Sequence, residues 1–306
     1  METLRLQSAM EYLMTYGWAI FIIAAVAVSI SYLLFSGTSS NLISPKATPG
    51  GCFVQISYQN GNLGFSRTNR NLVGQCNNEL PEYVAQISSG NSQISIKSTP
   101  ALSISSEGTF IMWVEPNPSW PASAVFLDKS YGNGAGQVSY RIQRYLLTNN
   151  LEFYDGSNVI FGGNIIPNSW TFIAVTIYNG NIIGYINGAE VFGPSSVNNP
   201  LTQIPSANIL IGSSPASTFT AGSTVCNCNI ANVQLYNTSL SQSDIMQLYD
   251  EGIGGTPIAI QNLAGWWPLN GNANDYSGIN NNGNAINVNY TTTWSSGYSQ
   301  PQNTIS

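Results

Sequence analysis

The carboxylates are the first residues to consider for chemistry, because this chain of 306 residues has 14 Asp and Glu but no histidine. Without histidine, a Ser-His-Asp triad is impossible and the commonest general base is missing. A retaining glycosidase needs two carboxylates about 5 Å apart. Glu152 and Asp155 are three residues apart, so a strand would place them on opposite faces. The chain has no Glu-x-Asp-x-Glu pattern and no phosphate-binding glycine loop, and the sequence therefore predicts no enzyme.

Four cysteines could form disulfides or bind zinc. They are Cys52, Cys76, Cys226 and Cys228. Four cysteines allow three disulfide connectivities, whereas a Cys-x-Cys pair with two scattered thiols lacks the spacing of common zinc sites. The sequence therefore favours two disulfides. Because Cys226 and Cys228 are so close in sequence, we expect each of them to pair with Cys52 or Cys76.

A long apolar stretch runs from Leu13 to Phe35. As a helix, Trp18–Phe35 alone would span roughly 27 Å, close to the hydrocarbon thickness of a bilayer. A secretory signal peptide would have a shorter apolar region and a small-residue cleavage site after it. A buried core helix is the other alternative, and we predict a membrane-spanning helix. Arg5 is the only basic residue before the stretch, which favours a cytoplasmic N-terminus.

The start of this stretch, Gln-Ser-Ala-Met-Glu-Tyr-Leu-Met-Thr-Tyr-Gly-Trp-Ala from Gln7 onward, resembles the class III signal peptide of archaeal type IV pilin-like proteins. The resemblance implies a leader of residues 1–6 and cleavage between Leu6 and Gln7, where that family usually has a small residue before the cut. It also implies that Glu11, as the fifth mature residue, pairs with the N-terminal amine of an adjacent subunit. Homo-oligomers would then form through the helix 7–36. The alternative is that Glu11 only marks the membrane interface.

The segment after the helix reads as a linker. Gly37–Gly51 is rich in Gly, Ser, Thr and Pro, which is typical of a connecting segment. The residues up to Glu82 are rich in Asn and Gly and include two of the cysteines. We therefore expect residues 37–82 to form a linker and a small disulfide-held neck.

Strand and turn signals dominate from residue 83 onward. Runs of β-branched and aromatic residues alternate with turn residues. The dipeptides Asn179-Gly180 and Asn187-Gly188 predict two successive hairpins, because both turn residues can adopt positive φ. One helix is expected over 241–251, with Ser241 as its N-cap. The predicted fold is mainly β: an N-terminal transmembrane helix followed by a β-sandwich of the jelly-roll kind.

Residues 83–290 resemble the laminin-G-like type of the concanavalin A-like jelly roll. The most specific match is Leu263-Ala-Gly-Trp-Trp-Pro-Leu-Asn-Gly-Asn-Ala-Asn-Asp-Tyr-Ser-Gly278, which looks like the opening motif of that family. Because this motif stands near the C-terminus, we predict a circularly permuted domain in which 263–290 supply the strand missing before Tyr83. Residues 291–306 show no strand pattern, and we expect a flexible tail there.

The resemblance implies binding of carbohydrate or protein rather than catalysis. Laminin-G-like domains often hold Ca²⁺ through loop carboxylates, which implies a calcium site at Asp275 with Asp128 as a second contributor. The alternative for Asp275 is a turn whose side chains bind their own backbone. Trp120 lies between Pro118 and Pro121 in a predicted loop, and we expect it to stack on a ligand.

Charge and acceptor sequences bear on location and partners. The formal net charge is −6, which argues against nucleic-acid binding. Asn237 and Asn289 begin Asn-x-Ser/Thr sequences that could carry glycans outside the cell. We expect a single-pass cell-membrane protein whose extracellular lectin-like domain binds surface glycans or glycoproteins. The alternatives are a pilin-like structural subunit with an inert sandwich and, third, a glycoside hydrolase.

Overall fold

The computed structural model describes residues 22, 26, 80–88, 90–132, 135–146, 148–215 and 225–301. The chain divides into two compact units, residues 1–49 and residues 50–306. Ile22 and Val26 are helical. Among the described residues, no helix has the length and apolar character needed to cross a membrane. The other residues of the predicted helix 7–36, together with Leu6 and the neck up to 79, lie outside the described residues.

The described part of the second unit consists mainly of short strands. The strands are β1 (Val84–Ile87), β2 (Gln93–Ile96), β3 (Glu107–Pro116), β4 (Val125–Ser130), β5 (Val138–Arg144), β6 (Leu151–Tyr154), β7 (Val159–Gly162), β8 (Thr171–Tyr178), β9 (Asn181–Ile186), β10 (Ala189–Ser196), β11 (Ile209–Ile211), β12 (Cys228–Tyr236), β13 (Leu263–Trp267), β14 (Gly283–Ile286) and β15 (Asn289–Thr291). One α-helix, α1 (Gln242–Asp250), follows β12. Its predicted N-cap is confirmed, because the Ser241 side chain accepts a hydrogen bond from the backbone of Asp244 and the Asp244 carboxylate binds back.

The strands form two antiparallel sheets. The first sheet has the order β10-β9-β8-β3-β12-β1-β15, with β13 also paired to β12, and the second has the order β14-β2-β11-β4-β5-β6-β7. The two Asn-Gly hairpins join β8 to β9 and β9 to β10, with positive φ at both residues of each turn. The predicted mainly β sandwich is therefore confirmed.

The C-terminal segment contributes strands to both sheets. β14 pairs with β2 in the second sheet, and β15 pairs with β1 in the first. β3 runs along one edge of β12. Along its other edge, β12 pairs first with β1, through Cys228 to Ile230, and then with β13, through Val233 to Tyr236. β13 thus lies in line with β1 along the same edge of β12, and the circular permutation itself stays a prediction.

The sandwich buries two apolar cores. One lies between the sheets, and the other lies on the outer face of the first sheet, under α1 and the C-terminal segment. Trp266 and Trp267 point to opposite faces of β13, so Trp267 belongs to the first core and Trp266 to the second. Both indole rings are almost fully buried. A single strand therefore ties the two cores together.

The expectation of a flexible tail from residue 291 is wrong for the part that the structure describes, which ends at residue 301. Trp294 is buried, and its ring packs edge-on against Trp170 at 5.9 Å between centroids. The Trp294 indole N–H donates to the carbonyl of Pro81, 3.1 Å away. The ring of Tyr298 also packs edge-on against Trp113, so aromatic side chains hold this polar-looking segment in place.

The expected pairing of Cys226 and Cys228 with Cys52 or Cys76 is also wrong. Cys226 and Cys228 form a disulfide with each other, with their Cα atoms 5.2 Å apart. Alternate residues of an extended strand are about 6.6 Å apart, but Asn227 has φ +47° and this left-handed conformation shortens the distance into the disulfide range. Cys52 and Cys76 lie outside the described residues.

Candidate functional site

Asp275, predicted to bind calcium, is engaged by the backbone of its own loop. Its Oδ1 accepts hydrogen bonds from the N–H groups of Trp266 and Ser277, and its Oδ2 accepts one from Asn281. The residue is only 7% exposed. These contacts fit the alternative in which the carboxylate fixes the turn after β13.

Asp128, the second expected calcium ligand, forms an ion pair with Arg141. The Arg141 Nε lies 3.1 Å from the Asp128 Oδ1, and the Ser130 hydroxyl donates to Oδ2 at 2.7 Å. Burial raises the pKa of the Asp128 carboxyl, and the guanidinium of Arg141 partly offsets that rise. Among the described residues, no group of three or more Asp, Glu, Cys or His side chains is placed to hold a metal ion. The calcium site stays a prediction without a described set of ligands.

The expectation that Trp120 stacks on a ligand is not supported, because the side chain is covered. Trp120 is 6% exposed and packs against Phe126 in the core between the sheets. The guanidinium of Arg144 also lies over the Trp120 ring, 4.4 Å from its centroid. Trp120 therefore helps to close one end of the sandwich.

Both predicted glycosylation positions are accessible in the structure. Asn237 lies in the turn after β12 and Asn289 lies on the edge strand β15, and both side chains are exposed. The structure thus allows modification at each of them. Whether glycans are attached there stays a prediction.

The outer face of the second sheet carries polar side chains where strand alternation places them. On β5, Tyr140 and Ile142 enter the core, so Arg141 and Gln143 lie on the opposite face. On β6, Leu151 and Phe153 enter the core, so Glu152 and Tyr154 lie outward. The outward side chains of β4 to β7 include Asp128, Arg141, Gln143, Glu152, Tyr154, Val159 and Phe161.

A row of three of these residues crosses β5, β6 and β7. Gln143 is directly opposite Glu152, and Glu152 is directly opposite Phe161. Burial raises the pKa of Glu152 to about 7, while a hydrogen bond from Gln143 and the charge of Arg141 lower it. The Gln143 side chain is only 6% exposed, and its Oε1 has no hydrogen-bond partner. We call Gln143 and Glu152 the polar floor.

Two aromatic rings stand beside the polar floor. Tyr145 and Phe161 stack in parallel with ring centroids 3.8 Å apart, and we call them the aromatic pair. Phe161 is 45% exposed, and its neighbours Val159 and Leu146 are exposed as well. Aromatic and apolar side chains together with a few polar groups are the usual lining of a small-ligand site.

Arg144 fixes the loop that carries Tyr145. Its Nε donates to the carbonyl of Thr148, and its Nη2 donates to Asn149 Oδ1. Its Nη1 donates to the carbonyls of Trp120 and Pro121. These four hydrogen bonds and the ring contact join the loop at 148–149 to the loop at 120–121, next to Tyr145.

The raised pKa of Glu152 makes stability depend on pH. The pKa of this carboxyl is about 7 in the folded state and 4.5 in its ordinary state. Its contribution to stability is therefore fully present below pH 4.5 and is lost as pH rises through 7. The loss is on the order of 3 kcal/mol. Between pH 4 and pH 9 the free energy of unfolding, measured with urea, should fall by this amount in the wild type. We expect Glu152→Gln to remove this part of the fall. Glu190→Gln, on the exposed surface of β10, should follow the wild type, and a Glu152→Gln curve parallel to the wild type would contradict the prediction.

Comparisons with known proteins agree with this architecture. A model of the concanavalin A-like lectin/glucanases superfamily, of the laminin G type, matches residues 88–246, more than half of the chain, and the chain belongs to that superfamily. A search among curated proteins found no match.

Several solved structures align with this chain at low sequence identity. A candidate carbohydrate-binding protein from Bacteroides ovatus aligns with TM-score 0.54 and 14% identity over 69% of this chain and 60% of that protein, so this chain covers less than two thirds of its length. A pentraxin from Limulus polyphemus aligns with TM-score 0.45 and 10% identity, over 56% and 83%. Domain 4 of an extracellular GH43 arabinanase from Geobacillus stearothermophilus, in complex with arabinotriose, aligns with TM-score 0.40 and 20% identity, over 54% and 75%.

Proposed function

We propose that this chain is a membrane-anchored cell-surface protein whose lectin-like sandwich binds carbohydrate without catalysis. The observation that carries the proposal is the aromatic pair, partly exposed beside the polar floor on one sheet of a lectin/glucanase-type sandwich. A sugar ring has an apolar face that can pack on an aromatic ring and hydroxyls that bind polar groups. Surface glycans or glycoproteins are therefore the proposed partners, and adhesion is the proposed role.

The state of the carboxylates supports binding rather than hydrolysis. Asp128 is paired with Arg141. Asp155 accepts hydrogen bonds from the backbone N–H groups of Ser157 and Asn198 and lies in a turn. This leaves Glu152 as the carboxyl of the polar floor, whereas glycoside hydrolysis by the usual mechanism requires two carboxyls on opposite sides of one bond.

A glycan array tests the binding proposal. We expect a soluble fragment of residues 51–306 to bind a reproducible set of glycans, and Phe161→Ala to weaken binding about tenfold, because loss of one stacked aromatic contact corresponds to about 1.4 kcal/mol. Tyr178→Ala is the matched control, since Tyr178 is an exposed aromatic residue at the end of β8. Absence of binding on the array, or equal losses in the two variants, would contradict the proposal.

The membrane anchor is the second part of the proposal, and the sequence supports it through the apolar helix 7–36. If the pilin-like resemblance holds, the mature protein begins at Gln7 and Glu11 pairs with that amine in a neighbouring subunit. We expect Glu11→Gln to abolish filaments or multimers while the membrane-bound monomer persists. A mature protein that begins at Met1 would rule out the assembly role and leave a simple anchor.

An extracellular position of the sandwich is supported by the disulfide between Cys226 and Cys228, because disulfides are typical of oxidising compartments. The exposed acceptors Asn237 and Asn289 are compatible with it. Mass spectrometry of the native protein would contradict this location if it found free thiols at both cysteines and no modification of either asparagine.

A further inference from the structure

We propose that the polar floor and the aromatic pair together select an uncharged, hydroxyl-rich sugar over an acidic one. This inference rests on the proposed function and names the ligand class of the same site. Three observations carry it: a buried acceptor without a partner, the pairing of the nearby cations, and the spacing of the row.

The buried acceptor is the Oε1 atom of Gln143. It lies in a side chain that is more than nine-tenths buried, and no hydrogen bond satisfies it. Buried polar atoms in native proteins nearly always have partners, so an unpaired one needs an explanation. A sugar hydroxyl is a donor, and its hydrogen bond to Oε1 would supply the partner that this atom lacks.

The cations of β4 and β5 are all engaged by groups of the protein. Arg141 pairs with Asp128 and also donates to the Ser130 hydroxyl at 3.0 Å. Lys129 donates to the Ser98 hydroxyl at 2.9 Å. Arg144 is held by its four loop acceptors, as described above. A carboxylate or sulfate group on a ligand would therefore lose its hydration beside the buried polar floor, where the cations of β4 and β5 are already engaged, and this is unfavourable.

The spacing of the row suits a sugar chain. Gln143, Glu152 and Phe161 occupy three neighbouring strands in direct register. Strands in a sheet lie about 4.8 Å apart, so the row extends over roughly 10 Å from Gln143 to Phe161. A ligand that stacks on Phe161 can therefore place a hydroxyl over Gln143 within the same row.

The test uses the full chain on an array of neutral hexose, pentose and N-acetylhexosamine oligosaccharides, each paired with a counterpart that carries sialic acid, uronic acid or sulfate. We expect binding to neutral members and at least tenfold weaker binding to their acidic counterparts. Equal or stronger binding of the acidic counterparts would overturn the inference and leave the proposed function intact. No binding to any glycan would overturn both.

A variant with an independent readout tests the role of Gln143. Gln143→Leu keeps the size of the side chain and removes the unpaired acceptor, so we expect at least fivefold weaker binding to the best neutral glycan. Its thermal midpoint should stay within about 3 °C of the wild type, because loss of the bond to Glu152 is offset by removal of a buried unpaired atom. Tyr178→Ala should change neither property. Wild-type affinity in Gln143→Leu would overturn the inference.

Discussion

Deleting residues 256–306 is expected to abolish cooperative folding of the sandwich. The deletion removes β13, β14 and β15, and with them a paired strand from both sheets. It also removes the three buried indoles of Trp266, Trp267 and Trp294. Burial of each large aromatic side chain stabilises a protein by about 2–3 kcal/mol, and the sum is comparable to the whole free energy of unfolding of a domain, about 5–15 kcal/mol.

Thermal unfolding and size-exclusion chromatography measure this effect. The shortened chain should aggregate, because the edge of β12 and the apolar outer face of the first sheet become exposed. Deletion of residues 302–306 alone is the matched control, and we expect a normal midpoint for it. If the longer deletion still unfolds cooperatively at the wild-type temperature, the prediction is wrong. The C-terminal strands would then not be needed for the stability of the sandwich.

The second large effect is expected at the buried ion pair. Asp128→Asn should lower the free energy of unfolding by about 3–5 kcal/mol, because the charge of Arg141 then stays buried without its counter-charge. Both side chains are almost fully buried, so water cannot replace the carboxylate. Urea unfolding at pH 7 gives the value directly.

The double variant Asp128→Leu with Arg141→Met is the informative control. It removes both charges and keeps similar volumes, and we expect it to recover most of the loss, since well-packed apolar residues often replace a buried ion pair without net destabilisation. A loss below 1 kcal/mol in Asp128→Asn would mean that the pair is screened by solvent. A double variant as unstable as the single one would mean that packing rather than charge decides the effect.

Local signals in the sequence were sufficient to predict several elements of the fold. The two Asn-Gly turns and the N-cap at Ser241 were predicted correctly, because each depends on residues that are neighbours in the chain. The cysteine pairing was missed for a local reason too, since the left-handed conformation of Asn227 brings Cys226 and Cys228 together and no rule of spacing shows it.

Contacts between distant segments explain the errors at the site. Trp120 was expected to be exposed because it follows Pro118 in a loop, yet Arg144 reaches it from 24 residues away. Asp128 was expected to contribute to a calcium site, but it lies on β4 beside Arg141 and pairs with it. Neither contact leaves a signature in the residues around the one concerned.

The candidate site itself was within partial reach of the sequence. Strand alternation in β5 and β6 places Gln143 and Glu152 on one face, and this could have been predicted from the positions of Tyr140 and Phe153. Which outer face is covered by α1 and the C-terminal segment depends on where they pack, and they pack on the first sheet. That choice is a property of the whole chain.

The position of β1 has a mechanical consequence. β1 is the first strand of the part of the chain that the structure describes, and it is hydrogen-bonded to β12 on one side and to β15 on the other. The bonds of an antiparallel ladder lie perpendicular to the strand, so tension applied along β1 from its N-terminal end loads them in shear, all at once, instead of opening them one after another. The indole N–H of Trp294 also donates a hydrogen bond to the carbonyl of Pro81, just before β1. If the sandwich is tethered at this end, tension on the tether has to break many hydrogen bonds of β1 at once, and we expect the sandwich to resist unfolding by such tension.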